Sequence, residues 1–322
     1  MLPRLVALSL LSLAAAAVAT PPSPQAAGAG AVDKATQTED VAFKNDIADR
    51  MTVPVKLSGS GPYRFLVDTG ADRTAISRQL AGRLNLQAGD RAELHSIAGA
   101  SSVSTAMLPD LQFTRKAVKI TDAPLLDSAY IGADGILGVD SLRSQRVLFD
   151  FKGQTLSVVP STVPDFVDEP GTIVIRGARR NGRLVFTDAS ANGHSLTVVI
   201  DTGSQVSIGN QALRQKLLDR DLVNVAQKVE IESVTGEKIM GDYMFVRELD
   251  IGGMTLKNLA IVFADAHTFK QLGLDRKPAL LLGMNAIRAF KKVSIDFANR
   301  KFRVVLPEES ALTYQLAQAR LR

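Results

Sequence analysis

Two short motifs contain the residues of greatest chemical interest. Asp68-Thr69-Gly70-Ala71 follows an apolar run at 65–67, and Asp201-Thr202-Gly203-Ser204 follows a similar run at 198–200. Each apolar run predicts a buried strand that delivers its aspartate to the edge of a dry interior. Each glycine permits a tight turn and leaves room for another loop to approach closely.

Two such loops brought face to face would define a specific chemistry. Like charges a few Å apart do not both ionise easily, so paired carboxyl groups hold one proton between them. The ionised aspartate can take a proton from a water molecule while the protonated one polarises the carbonyl that the water attacks. This arrangement predicts hydrolysis without a metal, a cofactor or a covalent intermediate.

The sequence also repeats itself around these motifs. Each motif is followed by an amphipathic segment, an alternating stretch around a glycine, an apolar-apolar-glycine triplet and a closing hairpin. The matched segments are 76–86 and 208–218, 93–106 and 229–243, Ile136-Leu137-Gly138 and Leu281-Leu282-Gly283, and 147–159 and 293–305. Most of them are short and rich in β-branched residues, so the repeat predicts two similar β-rich lobes with short helices.

Composition suggests the boundaries of these lobes. Residues 1–19 have the features of a signal peptide cleaved after Ala19, and residues 20–50 have the composition of a flexible segment. The first lobe is predicted at 51–162, the second at 171–307, and a C-terminal tail at 308–322. Export predicts a periplasmic or secreted protein with no stable membrane span after signal cleavage.

These motifs resemble those of the retropepsin-like and pepsin-like aspartic proteases, most closely the bacterial exported form with two lobes. Asp68-Thr69-Gly70-Ala71-Asp72 is similar to the retroviral motif, and Asp201-Thr202-Gly203-Ser204 is similar to the pepsin-type motif. The resemblance covers roughly residues 51–307. It implies a mostly β fold in which two tandem retropepsin-like β-barrel lobes form a bilobal pseudo-dimer with short helices.

The resemblance also implies roles for individual residues. Asp68 and Asp201 would be the catalytic dyad of an aspartic endopeptidase that hydrolyses protein or peptide substrates. Asp72 would bind the substrate main chain, and hairpins centred on Gly99 and Gly236 would be flaps over the substrate. The two catalytic loops would be supported, with the threonines bonding across the interface, by Thr69, Gly70, Ala71, Thr202, Gly203 and Ser204.

Composition argues against several other functions. The 322-residue chain has no cysteine, which removes thiol catalysis, disulfides and zinc–thiolate sites. Its three histidines, His95, His194 and His267, lack metal-ligand spacing, so no metal site is expected. The net charge of +5 is not gathered into the dense basic stripe typical of nucleic-acid binding. Asp150 and Asp296 recur in the closing strands and are interpreted as strand-end caps or ion-pair partners.

Two alternatives stay open from the sequence. The lobes could pair between chains, so that each aspartate meets its own copy in a dimer, although a pseudo-symmetric monomer is the simpler expectation. The chain could also be a catalytically silent peptide-binding or scaffold protein on the same fold.

A further hypothesis concerns the shared proton. Ser204 would donate a hydrogen bond to Asp201, whereas Ala71 offers Asp68 no such side-chain donor. Because hydrogen bonds to a carboxylate favour its ionised form, Asp68 would then hold the proton more often. The alternative is that the coupled pair titrates as a unit, so that the proton belongs to neither residue.

Overall fold

The structure is a computed structural model that describes residues 40–307 apart from 43, 46–50, 114–116, 166, 219–222 and 225–226. Its strands form one sheet in each of two lobes and a third sheet that the lobes share. The mostly β, two-lobed architecture predicted from the sequence is confirmed. The predicted signal peptide, most of the predicted flexible segment and the tail at 308–322 lie outside the described residues.

The first lobe alternates short helices with longer strands. Its elements are β1 (Asp40–Ala42), β2 (Lys44–Asn45), β3 (Met51–Leu57), β4 (Ser60–Val67), β5 (Ala75–Ser77), α1 (Arg78–Arg83), β6 (Ala88–His95), β7 (Ala100–Gln112), β8 (Ala117–Leu126), α2 (Ser128–Ile131), β9 (Gly135–Leu137), α3 (Val139–Leu142), β10 (Gln145–Asp150) and β11 (Thr155–Pro160).

The second lobe repeats much of this order. Its elements are β12 (Thr172–Arg176), β13 (Ala178–Arg180), β14 (Arg183–Phe186), β15 (Ala189–Ala191), β16 (His194–Ser195), β17 (Thr197–Ile200), β18 (Ser207–Gly209), α4 (Gln211–Leu218), β19 (Val223–Asn224), β20 (Lys228–Glu232), β21 (Lys238–Ile251), β22 (Met254–Ala264), α5 (His267–Gln271), β23 (Ala279–Leu282), α6 (Met284–Ile287), β24 (Lys292–Asp296) and β25 (Lys301–Val305).

The sheet of the first lobe closes on itself. Its strand order is β2-β3-β4-β9-β5-β8-β7-β6, and an extra pairing of β3 with β7 completes a barrel. The sequence of β3 shows why one face turns inward, because buried Val53, Val55 and Leu57 alternate with exposed Pro54 and Lys56. The side chains that point inward form an aliphatic core around β4 and β9.

The sheet of the second lobe has a similar strand order, but its strands begin and end at different points of the repeat. Its order is β13-β14-β17-β23-β18-β22-β21-β15-β16, with β19 and β20 also paired to β21. Only residues 187 and 188 separate β14 from β15, although the two strands lie near opposite ends of this order. The chain therefore bends between them and crosses from one part of the sheet to another.

The closing hairpins of the two lobes meet in the shared sheet, whose order is β1-β11-β10-β24-β25-β12. At its centre β10 and β24 run antiparallel, with Leu148 opposite Ser294. Equivalent charged pairs flank this position, since Arg146 faces Asp296 and Asp150 faces Lys292. The pairing gives the molecule an approximate twofold relation between its lobes.

The interpretation of the two repeated aspartates is confirmed. The Asp150 carboxylate accepts the Gly153 backbone N–H at 2.7 Å, and Asp296 accepts that of Asn299 at 2.8 Å. Asp150 also lies 3.8 Å from Lys292 Nζ. Both residues cap the turn of a closing hairpin and balance a charge on the neighbouring strand.

One part of the predicted flexible segment is structured instead. Strand β1 pairs with β11 of the shared sheet, and β2 pairs with β3 of the first barrel. Edge strands expose unpaired N–H and C=O groups, which an adjacent extended segment can satisfy without any apolar pattern of its own. This explains why composition alone did not indicate strands at residues 40–45. Among the described residues, no helix is long and apolar enough to cross a membrane.

Candidate active site

Each motif aspartate begins a loop at the end of an inner strand. In the first lobe β4 runs parallel to β9, and the Asp68 N–H donates to the Leu137 carbonyl at 3.0 Å. In the second lobe β17 runs parallel to β23, and the Asp201 N–H donates to the Leu282 carbonyl at 3.0 Å. The apolar-apolar-glycine triplets thus anchor the strands that carry the aspartates.

The two loops are tied together by their threonines. Thr69 Oγ1 donates to the Ile200 carbonyl at 3.0 Å and accepts the Thr202 N–H at 3.1 Å. Thr202 Oγ1 donates to the Val67 carbonyl at 2.7 Å and accepts the Thr69 N–H at 3.0 Å. Both threonines are buried, so these four reciprocal bonds hold the loops in one relative position without competition from water.

The glycines allow the carboxylates to come together. A Cβ atom on Gly70 would lie 2.5 Å from Asp201 Oδ1, and one on Gly203 would lie 2.3 Å from Asp68 Cγ. Each aspartate therefore lies directly over the glycine of the opposite loop. Any larger residue at either position would push a carboxylate away.

The electrostatics of the pair differ between its two members. The Asp68 carboxylate accepts the Gly70 N–H at 2.7 Å and the Ala71 N–H at 3.0 Å. Burial, and then the nearby Asp68 carboxylate, raises the pKa of Asp201 to about 7, although Arg183 and the Gly203 and Ser204 N–H groups oppose the shift. The pair of carboxyl groups therefore keeps a shared proton up to near neutral pH.

The hypothesis about Ser204 is therefore wrong. Its hydroxyl donates to the Val206 carbonyl at 2.7 Å, and only its backbone N–H serves Asp201. Ala71 supplies Asp68 with an equivalent backbone donor despite lacking a hydroxyl. Burial and the neighbouring Asp68 carboxylate, which residue type does not reveal, are the main causes of the raised pKa of Asp201.

A second layer of polar residues holds the catalytic loops from behind. Thr74 Oγ1 donates to Asp140 at 2.7 Å and accepts the Gly138 N–H at 3.1 Å. In the second lobe Ser207 Oγ donates to Asn285 at 2.9 Å and accepts the Gly283 N–H at 3.1 Å. These pairs occupy equivalent positions, so the repeat extends beyond the residues that the sequence comparison singled out.

The aspartates lie at the floor of a cleft of about 470 Å³. Two hairpin tips cover it: the first flap, residues 96–99 between β6 and β7, and the second flap, residues 233–236 between β20 and β21. Ile97 and Val234 line the cleft, whereas Gly99 and Gly236 do not. Gly236 lies instead against the ring of Tyr130 on α2, an aromatic side chain that motif reading did not connect with a flap.

Arg183 is the main site residue that sequence reasoning missed. It belongs to β14 of the second lobe, yet its Nε donates to the Gly70 carbonyl at 2.7 Å and its Nη1 lies 3.4 Å from Asp72. Burial raises the pKa of Asp72, and Arg183 opposes that rise. A basic residue 18 positions before a motif aspartate carries no signal of its own, so only the fold reveals this contact.

Within the described ranges, no cluster of three or more histidine and acidic side chains is arranged to hold a metal ion. Asp72 borders the cleft half-exposed, beside Arg73, which pairs with Asp122. The cleft lining combines these charges at its mouth with apolar side chains on the first-lobe side: Ala71, Ala75, Leu94, Pro124, Leu126 and Ile136.

Comparison with known families assigns the two lobes to one class of protein. Residues 53–144 match the family described as gag-polyprotein putative aspartyl protease, and residues 187–286 match the family described as aspartyl protease. No curated protein shows significant similarity to the chain. The chain therefore consists of two tandem aspartyl protease domains of the retropepsin-like fold, one in each lobe.

Proposed function

We propose that the chain is an aspartic endopeptidase in which Asp68 and Asp201 activate one water molecule. The observation that carries the proposal is the convergence of the two carboxylates, each seated over the glycine of the opposite loop. The raised pKa of Asp201 supports a shared proton near neutral pH. The cleft of about 470 Å³ above the pair is within the range of ligand-binding pockets.

The geometry suggests a division of labour. Asp68, ionised and bonded by two N–H groups, takes a proton from the water as its oxygen attacks the peptide carbonyl. Protonated Asp201 transfers its proton to the carbonyl oxygen, so that a neutral tetrahedral diol forms and Asp201 becomes ionised. When the C–N bond breaks, the leaving nitrogen receives a proton from Asp68, and the diol proton returns to the pair. The products are a carboxylic acid and an amine, and no covalent intermediate forms.

A peptide-library digest tests this function. We expect Asp68→Asn and Asp201→Asn each to lower the cleavage rate by about 10²–10⁴-fold, since each removes one partner of the acid–base pair. Asp275→Asn, which changes a carboxylate outside the cleft lining, is the matched control and should cleave like the wild type. Full activity in both dyad variants would overturn the proposal.

The same variants separate the alternatives. If lobes pair between chains, Asp68 meets Asp68 of a second copy and Asp201 meets Asp201. The Asp201→Asn variant would then keep the site formed by the two Asp68 residues and part of the activity. Pairing within one chain, which the cross-lobe threonine bonds favour, predicts the same large loss of activity in both variants. A silent scaffold would bind a statine-type transition-state mimic without cleaving any peptide in the library.

We also propose that the protein is exported to the periplasm or secreted, on the basis of residues 1–19. Mass spectrometry of the protein purified from its native cell should find an N-terminus at Thr20. An intact Met1 on protein in the cytoplasmic fraction would contradict this.

A further inference from the structure

Two histidines join the first flap to the second lobe. His95 is the last residue of β6, beside the flap tip, and His267 is the first residue of α5. His95 Nδ1 lies 3.1 Å from His267 Nε2, and the ring centres are 5.3 Å apart with planes inclined by 20°. The centre-to-centre distance exceeds the nitrogen separation by about the sum of the two ring radii. The nitrogens therefore face each other along the ring planes, as in a hydrogen bond.

Two further contacts hold the first flap against α5 and the apolar cluster of the second lobe. The His267 N–H donates to the carbonyl of Ile97 at 2.8 Å, and the Ile97 side chain packs on the apolar cluster of the second lobe. The second flap is held differently, by Gly236 against Tyr130. The imidazole pair is thus specific to the first flap.

The groups around His95 and His267 determine which protonation states of the two imidazoles keep the hydrogen bond. Glu93, also on β6, lies 3.3 Å from His95 Nε2, and Gln271 of α5 lies 3.2 Å from His267 Nε2. Lys270 of α5 is 3.2 Å from Asp265. On the catalytic loop, Asp72 is close enough to His95 for the two to attract each other. The carboxylates therefore face His95, whereas the side chain beside His267 is a neutral amide.

Counting protons shows when the bond survives. With both rings neutral, His267 Nε2–H donates to His95 Nδ1 once the Gln271 amide turns its oxygen toward that N–H, and His95 Nε2–H faces Glu93. With one added proton on His95, its Nδ1–H donates to His267 Nε2 and the contact with Glu93 becomes an ion pair. With both rings charged, two N–H donors and two positive charges face each other and the bond is lost. Histidine is the side chain whose charge normally changes between pH 5 and 8.

We propose that His95 and His267 form a latch that positions the first flap over the cleft, closed until both imidazoles carry a proton. Two charged imidazoles whose N–H donors face each other repel, so protonation of both rings favours the open flap. The effect on peptide cleavage rests on the proposed function, whereas the latch itself does not.

Amide hydrogen exchange of the full-length protein tests the latch without any activity. The amide at position 267 makes the cross-lobe bond to Ile97, so its protection factor reports closure directly. Between pH 7.5 and pH 5 we expect this factor, corrected for intrinsic exchange, to fall about 3- to 10-fold in the wild type, the equivalent of one hydrogen bond.

Three variants give this measurement its controls. His267→Gln keeps a neutral hydrogen-bonding group that does not titrate, and its protection should not change with pH. His267→Leu removes the bond and should show low protection at both pH values. His194→Gln, at the remaining histidine on β16, should behave like the wild type. The same pH dependence in the wild type and in His267→Gln, or none in either, would overturn the latch.

Kinetics with a cleaved peptide provide the second readout. We expect the KM of the wild type to rise about 3- to 10-fold from pH 7.5 to pH 5, and that of His267→Gln to stay constant. An absence of cleavage in every variant would refute the proposed peptidase and leave the exchange experiment decisive for the latch. Cleavage with identical KM profiles in both proteins would refute the latch alone.

Discussion

Arg183 contacts both the backbone and the charges of the opposite catalytic loop. Its guanidinium donates to the Gly70 carbonyl, pairs with Asp72, and lowers the pKa of Asp201 from the value that burial and Asp68 alone would produce. Arg183 of the second lobe therefore holds the loop that carries Asp68 and also lowers the pKa of Asp201.

Replacing Arg183 should alter the pH profile in a defined direction. The active pair needs its one proton, which is lost as the pH rises through the pKa of Asp201. Arg183→Gln removes a positive charge, raises that pKa above about 7, and should move the alkaline limb of kcat/KM to higher pH. Arg91→Gln, which removes exposed hydrogen bonds to Ser102, is the control. An alkaline limb at the same or lower pH would contradict this account.

The glycine beneath each carboxylate makes an equally local prediction. Gly70→Ala would place a methyl group 2.5 Å from Asp201 Oδ1, so the pair must separate. We expect kcat/KM to fall by about 100-fold, the effect of a misplacement on the order of 1 Å. Gly82→Ala, in α1 with no atom near the added methyl, should retain activity. Wild-type kinetics in Gly70→Ala would show that the loops are more adaptable than this geometry indicates.

At the scale of single elements, the repeat explains an asymmetry of the cleft. Thr74 and Ser207 make equivalent bonds, so the residues that follow them, Ala75 in β5 and Ile208 in β18, are also equivalent. Ala75 lines the cleft beside Leu126 and Ile136, whereas Ile208 is buried in the core of its lobe. The smaller side chain of Ala75 leaves more room in the apolar part of the cleft on the first-lobe side than an isoleucine would.

Filling this part of the cleft should change substrate preference. Ala75→Ile would occupy the space of an apolar substrate side chain, and we expect kcat/KM for peptides with a large residue there to fall by roughly 10-fold or more relative to alanine peptides. Profiling with a peptide library measures the ratio. Ala178→Ile, on an exposed strand outside the cleft lining, is the control. An unchanged ratio would place the selective pocket elsewhere.

The elements themselves were largely predictable. The alternation of apolar residues indicated the inner strands, and the amphipathic segments at 76–86 and 208–218 contain α1 and α4. These patterns are local, because burial of one strand or helix face imposes its own period. The pairing of β1 with β11 depends instead on an available sheet edge far along the chain, and no local pattern indicated it.

At the scale of the whole molecule, the two lobes share buried charge as well as buried apolar surface. One apolar cluster continues across both lobes. In the shared sheet Arg146 is 4.0 Å from the buried Asp296. Arg146 also contacts the linker between the lobes, residues 163–170, because it is 3.3 Å from Asp165 and donates to the carbonyl of Pro164 at 2.8 Å. The acidic linker thus neutralises a cation at the junction of the lobes.

Removing this cation should destabilise the whole molecule. Arg146→Met leaves Asp296 buried without its cross-strand partner, and breaking a buried pair costs about 3–5 kcal/mol. We expect the free energy of unfolding, measured with urea, to fall by this order while isolated cleft variants such as Gly70→Ala lose much less. The exposed Arg276, replaced by Met, provides the surface control. A loss below about 1 kcal/mol would show that Arg146 has no structural importance.

The amino-acid sequence alone determined the two aspartate motifs, their repetition and the mostly β lobes around them, because residue type and periodicity are properties of neighbouring positions. Tertiary structure decided that the pKa of Asp201 is raised, that Arg183 reaches the opposite loop, and that His95 meets His267 across 172 positions of chain. These properties depend on burial and on distances between charges, and both are defined only once the two lobes have packed together.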